Sequence, residues 1–158
     1  MNGLQNKART YALKLLSYRG RSEQELRVRL RKKGFSETET VSAIHYLKQT
    51  GLVDDANLAE TLKWEAFTAK LLGNEGAKRY MLGRGLPRDI VETALTYDEE
   101  KERTNARHLV EKKLRVLKNY PFTTVRRRLY NLLSRKGYSP GIILELLKEK
   151  NIYKEDEA

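Results

Sequence analysis

At 158 residues the chain has room for one compact domain or a short array of smaller units. Hydrophobic residues make up 39% and charged ones 34%, which is too apolar for a disordered chain yet lean for a single deep core. A net charge of +11, from 32 Lys+Arg against 21 Asp+Glu, points to nucleic acid or a nucleoprotein as partner, and the absence of cysteine excludes disulfides, thiol nucleophiles and thiolate metal sites. Three prolines and ten glycines leave space for long helices, and no strand-like alternation of Val, Ile and Thr is evident. No apolar stretch is long enough for a signal peptide or a membrane span, so the expected location is the cytoplasm and no membrane partner is expected.

In chain order, Lys7 to Tyr18 predicts a helix with Ala8, Tyr11, Ala12 and Leu15 on one face. A basic amphipathic helix follows, with Leu26 and Leu30 inward, and stops at Gly34-Phe35. Ser36 with Glu39 three residues later is a capping box, opening a helix from Glu37 to about Thr50. Asp54 caps the next helix, which carries Leu58, Leu62, Trp64, Phe67 and Leu71. A second basic helix from Ala77 stops at Gly85-Leu86. Pro87 suits the first turn of a helix bearing Ile90, Val91, Ala94 and Leu95. A long helix from about Asp98 to Lys118 runs through Ala106, Leu109, Val110, Leu114 and Leu117. The third basic helix is opened by Arg126, Arg127 and Arg128 and stops at Gly137-Tyr138. Ser139-Pro140 then caps a last helix with Ile142, Ile143, Leu146 and Leu147.

The three stops repeat: Gly34, Gly85 and Gly137 are separated by 51 and 52 residues. A glycine just past a helix takes the left-handed conformation without steric cost, and the next residue folds back onto the last turn. The matched pairs would be Phe35 with Leu30, Leu86 with Met81, and Tyr138 with Leu133, all apolar. The chain is therefore expected to be all-α, with three tandem three-helix repeats at residues 1–53, 54–97 and 98–158. Units this small should share apolar surface and stack into an elongated, curved array. Residues 1–53 hold 11 basic and 4 acidic side chains, residues 54–97 hold 6 and 7, and residues 98–158 hold 15 and 10. Basic ends around a neutral middle suit contact with a long partner at two separated places.

Little in the sequence supports catalysis. His45 and His108 lie in different repeats without an orienting partner. Asp54-Asp55 reads as a helix cap, and Gly73, Gly76, Gly83 and Gly85 lack the ending of a phosphate-binding loop. No cofactor, metal or catalytic residue is expected. The candidate binding residues are Arg27, Arg31, Lys32 and Lys33 on the first basic helix, Lys78, Arg79 and Arg84 on the second, and Arg126, Arg127, Arg128, Arg135 and Lys136 on the third. Cations near a helix C-terminus are favoured by its dipole, which accounts for Lys32-Lys33, Arg84 and Arg135-Lys136 without function. It does not account for Arg126 to Arg128 at a helix start, and arginine forks suit phosphate and carboxylate. Trp64, Phe67, Tyr80, Tyr120 and Tyr130 read as core at helical spacing, Tyr80 and Tyr130 being the better candidates for exposure.

The stretch ALKLLSYRGRSEQELRVRLRKKGF, then an acidic helix and LKQTGLVDDANLAETL, resembles the opening of the RecX family, and GNEGAKRYMLGRGLP resembles its second repeat. The basic helix ending Lys-Gly-Phe and followed by Gly-Leu-Val-Asp-Asp carries the likeness, which covers essentially the whole chain. Asn57-Leu58-Ala59 departs from it, the family having a more basic, aromatic run there. The resemblance implies a monomeric, non-enzymatic regulator that binds the RecA recombinase filament on single-stranded DNA, restraining its ATPase, strand exchange and co-protease activity in DNA repair and the SOS response. The alternative is a stand-alone DNA-binding helical module acting without RecA.

Overall fold

The structure, a computed structural model, describes residues 2–152, and among these nine helices and no strand are present. The helices are α1 (Asn2–Tyr18), α2 (Glu23–Lys33), α3 (Glu37–Gln49), α4 (Asp55–Thr68), α5 (Asn74–Gly83), α6 (Arg88–Ala94), α7 (Glu99–Leu117), α8 (Phe122–Arg135) and α9 (Pro140–Glu149). Met1 of the first expected repeat and residues 153–158 of the third lie outside the described residues.

Local chemistry sets most boundaries. Ser36 and Glu39 form the reciprocal capping box of α3, and Ser22 with Glu25 forms another at the start of α2. The Asp54 carboxylate accepts from the Asn57 amide, Asp98 from Lys101, and the Ser139 hydroxyl from Ile142. Several boundaries differ from expectation: α1 reaches back to Asn2 and α5 to Asn74, and two others have a clear local cause. Helix α4 ends at Thr68, where the Lys70 and Leu72 amides turn back to the Glu65 and Ala66 carbonyls. Leu71 then takes φ 50 and packs against a core from a loop. Helix α8 starts at Phe122 because the Thr124 and Val125 amides bond the Pro121 carbonyl. Arg126 to Arg128 therefore occupy its second turn, away from the unfavourable end of the helix dipole.

The chain divides into two compact units, Met1–Leu62 with Met81–Ala94, and Lys63–Tyr80 with Leu95–Ala158. The division falls inside α4 and inside α5, so each of these helices contributes to both units. In the first unit α1, α2 and α3 enclose Ala8, Ala12, Leu15, Leu26, Leu30, Ala43, Ile44, Leu47 and Val53. Leu58, Leu62, Met81, Leu86 and Val91 of the same unit are also buried. In the second unit α7, α8 and α9 enclose Ala106, Leu109, Val110, Leu129, Leu133, Tyr138, Ile142, Ile143, Leu146 and Leu147. Each fully buried leucine or isoleucine contributes about 1.5–3 kcal/mol, so cores of this size carry most of the stability.

The three helix stops share one geometry. Gly34, Gly85 and Gly137 have φ 104, 81 and 86, and the following amides of Phe35, Leu86 and Tyr138 bond back to the carbonyls of Leu30, Met81 and Leu133. Two of the stops do more. The carbonyl of Arg84, just before Gly85, accepts the Ser22 hydroxyl at 2.6 Å, joining the end of α5 to the cap of α2. The carbonyl of Lys136, just before Gly137, accepts the Gly73 amide at 2.8 Å, joining the end of α8 to the start of α5. Ser22 and Gly73 are 51 residues apart, the same interval as Gly34 and Gly85. The end of each later basic helix thus seats on the beginning of the preceding one. The backbones come so close that a Cβ on Gly76 would strike the Lys136 carbonyl oxygen, whereas nothing lies within 4 Å of one on Gly34.

Candidate functional site

Charge on the basic helices is partly consumed inside the fold. On α2, Arg31 reaches both Glu37 oxygens, Nε at 2.9 Å and the terminal nitrogen at 3.0 Å, a two-pronged ion pair. Arg27 bonds Glu23 at 3.0 Å and touches Glu37 at 3.5 Å. The Arg31 hydrogen bond holds the Glu37 carboxyl below the ordinary carboxylate range. Burial opposes ionisation of Glu23, but hydrogen bonds from Lys48 and Arg27 outweigh it and hold that carboxyl low as well. Lys33 lies over the Tyr11 ring at 5.4 Å, and Lys32 is exposed. The α2 cations therefore point to different neighbours, with Arg27 and Arg31 closed onto acidic partners.

Just past α5, Arg84 is a structural tie: Nε meets Glu25 at 3.2 Å and a terminal nitrogen donates to the Gly20 carbonyl at 2.8 Å. Arg79 donates to the Arg135 carbonyl at 3.1 Å, using its charge at the C-terminal end of α8. Lys78 is half-buried.

On α8, Arg127 and Arg128 are exposed, Arg126 is half-buried, and the Arg128 guanidinium sits 4.3 Å from the Tyr120 ring centre. Arg135 bonds the Asn131 carbonyl at 3.4 Å. Lys136 donates to the Lys70 carbonyl at 2.7 Å. Burial, then the nearby charges of Lys70, Lys113 and Arg135, lowers the proton affinity of that amine. Between α7 and α8 runs a groove of about 750 Å³ whose rim carries Lys113, Arg128 and Arg135 and whose wall includes Val116, Leu117 and Leu132. The structure brings Arg128 and Arg135 together here, leaves Arg79 and Arg84 as internal ties, and adds Lys113 and Val116, to which no local pattern pointed.

The aromatic residues divide, Trp64 and Tyr120 against expectation and Tyr130 in line with it. Trp64 is 65% exposed, because it falls on the face of α4 opposite Leu62 and Ala66, which are buried. Tyr120 and Tyr130 are also exposed, while the Tyr80 hydroxyl donates to Glu65 at 2.9 Å. Both histidines are exposed, and among the described residues no three His, Asp or Glu side chains are grouped to hold a metal. No helix among them is long and apolar enough to cross a membrane.

Comparison with known proteins gives one family throughout. The description "RecX, first three-helix domain" matches residues 8–47, and "RecX, third three-helix domain" matches residues 100–147. A "Regulatory protein RecX" of Amycolatopsis mediterranei (strain U-32) is 34% identical over 91% of this chain and 83% of its own length. That of Clostridium botulinum (strain Eklund 17B / Type B) is 30% identical over 90% of this chain and 68% of its own. The crystal structure of RecX from Lactobacillus salivarius superposes with a TM-score of 0.78 at 23% identity, covering 97% of this chain and all of that one, which establishes likeness of fold.

Proposed function

We infer the function of this chain from its family: it belongs to the RecX family of regulatory proteins. On that premise it is a binding protein without a reaction of its own, and its partner is the RecA filament on single-stranded DNA. Bound there, it restrains ATP hydrolysis, strand exchange and the filament-assisted self-cleavage of the SOS repressor. The observation that carries this reading is the 34% identity with a RecX protein over 91% of the chain. The exposed cations of α2 and α8 supply the means, since a filament with phosphates and acidic side chains attracts such surfaces at long range. In keeping with this reading, the chain is three three-helix repeats, residues 1–53, 54–97 and 98–158, working as a monomer.

Inhibition of RecA ATPase on single-stranded DNA tests it directly. The wild-type chain should slow hydrolysis, and reversal of Arg127 and Arg128 to glutamate should relieve that effect. A wild-type chain without influence on ATPase or strand exchange would sink the family reading. Full inhibition by the reversed variant would remove α8 from the contact.

A further inference from the structure

The first unit holds a second concentration of positive charge, where Arg29 and Lys32 of α2 meet Arg19 and Arg21 of the preceding loop. Arg19, Arg21, Arg29 and Lys32 line a groove of about 240 Å³, and Glu25 is its one acidic residue. That carboxylate is already committed. One oxygen takes Arg19 at 2.7 Å, and the other takes Arg84 at 3.2 Å and the Ser22 amide at 3.3 Å. Arg21 is only 9% exposed, and its Nε donates to the Leu15 carbonyl at 3.3 Å, closing the end of α1. Among the described residues it forms no ion pair, and neither do Arg29 and Lys32. The Arg21 guanidinium sits among like charges that the Glu25 carboxylate offsets only in part. Burial first, then Arg19 and Arg29, weakens the hold of Arg21 on its proton. An external anion would reverse that imbalance.

The groove has space for a tetrahedral oxyanion and attendant water, at about 30 Å³ for each water. Its walls argue against an acidic peptide. Val28 is the only large apolar side chain lining it, and protein partners anchor on buried apolar or aromatic residues. Arginine forks in a polar cleft match phosphate oxygens.

We propose that this groove binds a phosphodiester of a nucleic-acid strand, with Arg21 as the buried fork and Arg29 and Lys32 as the outer clamp. The biological strand is the one that the filament reading supplies, so the inference rests on that reading for its partner. Its site can be tested without RecA.

The test is fluorescence anisotropy of a labelled oligothymidylate of about twenty nucleotides with the full chain, across a range of salt. The double variant R29Q/K32Q removes two exposed cations that make no ion pair, so its melting temperature should be unchanged. Two lost phosphate contacts should flatten the slope of log affinity against log salt by about 1.4 and weaken binding roughly tenfold or more at low salt. R21Q should weaken binding further, with some loss of stability from the end of α1. An unchanged slope and affinity in R29Q/K32Q would overturn the site. So would loss of poly-glutamate binding with oligonucleotide binding intact, which would make it a peptide-carboxylate site. Stabilisation of the wild type by inorganic phosphate, with oligonucleotide binding insensitive to the variant, would assign a free anion and overturn the proposal equally. RecA ATPase inhibition measured in parallel separates the two readings: a failed slope test with intact inhibition refutes this groove alone.

Discussion

Alanine at Gly34 and at Gly137 should have different consequences, although the two backbones are alike. Their φ values are 104 and 86, so alanine at either pays the left-handed strain of an L-residue, roughly 1–2 kcal/mol. At Gly34 nothing else opposes the methyl group, since no atom lies within 4 Å of its place. For a chain of this length each 1 kcal/mol moves the melting temperature about 2–4 °C, so G34A should lose about 2–8 °C. At Gly137 the methyl would run into the Gly76 amide nitrogen and lie 3.0 Å from the Glu75 carbonyl carbon, both main chain. The first turn of α5 would have to retreat, stretching the bond between the Gly73 amide and the Lys136 carbonyl. Strain, a lost buried hydrogen bond and disturbed packing together put G137A at roughly 3–5 kcal/mol, or about 6–20 °C. Far-UV circular dichroism on heating gives both values, with the G137A loss borne by the second unit. Equal losses in the two variants would refute the seating of one basic helix on the next.

Three further outcomes follow from the charges and the buried phenol. Replacing Glu37 by glutamine releases Arg31 and loosens Arg27, so E37Q should bind the RecA filament more tightly and with steeper salt dependence than wild type, with little change in stability. Weaker or unaltered binding on titration would mean that these two arginines do not face the filament. Because Glu23 titrates below the ordinary 4.5, its contribution to folding is complete above that pH and is lost as pH falls through the lowered value. The urea midpoint should therefore drop below pH 4.5, and E23Q should show a shallower drop than wild type. The buried Tyr138 hydroxyl donates to the Leu71 carbonyl at 2.7 Å, and burial pushes its pKa well up. Y138F should cost about 1 kcal/mol by urea unfolding, by leaving that carbonyl unpaired; no change would show that water replaces the phenol there.

The helix ends were legible because their causes are local. A glycine and an apolar residue after a basic amphipathic run, met three times at 51 and 52 residues, encode a backbone conformation and a contact within one turn. Ser22-Glu-Gln-Glu25 encodes a cap in the same way and was there to be read beside Ser36-Glu39. Trp64 was misplaced because α4 is apolar over much of its circumference: position alone did not say which side met the core. The glycine stops reveal by sequence their φ and the apolar contact within one turn, and nothing beyond that turn. That Gly76 and Gly137 must both lack a side chain to let two main chains meet depends on a contact spanning 61 residues, and no local rule contains it.

The same limit governs the functional reading of the charge. Counting cations treats each as available, yet Arg84 is tied to Glu25 across 59 positions, Arg79 to the Arg135 carbonyl across 56, and Lys136 to the Lys70 carbonyl across 66. Helical spacing reveals partners three or four residues away, so it found the cationic helices and could not subtract the cations that the fold consumes. Arg19 and Arg21 show the converse. They flank a glycine outside any helix and attract no notice by pattern, but the fold gathers them with Arg29 and Lys32 around one committed carboxylate. What the surface offers a partner is thus the remainder after folding, and in the first unit that remainder lies in the Arg21 groove more than along the paired Arg27 and Arg31.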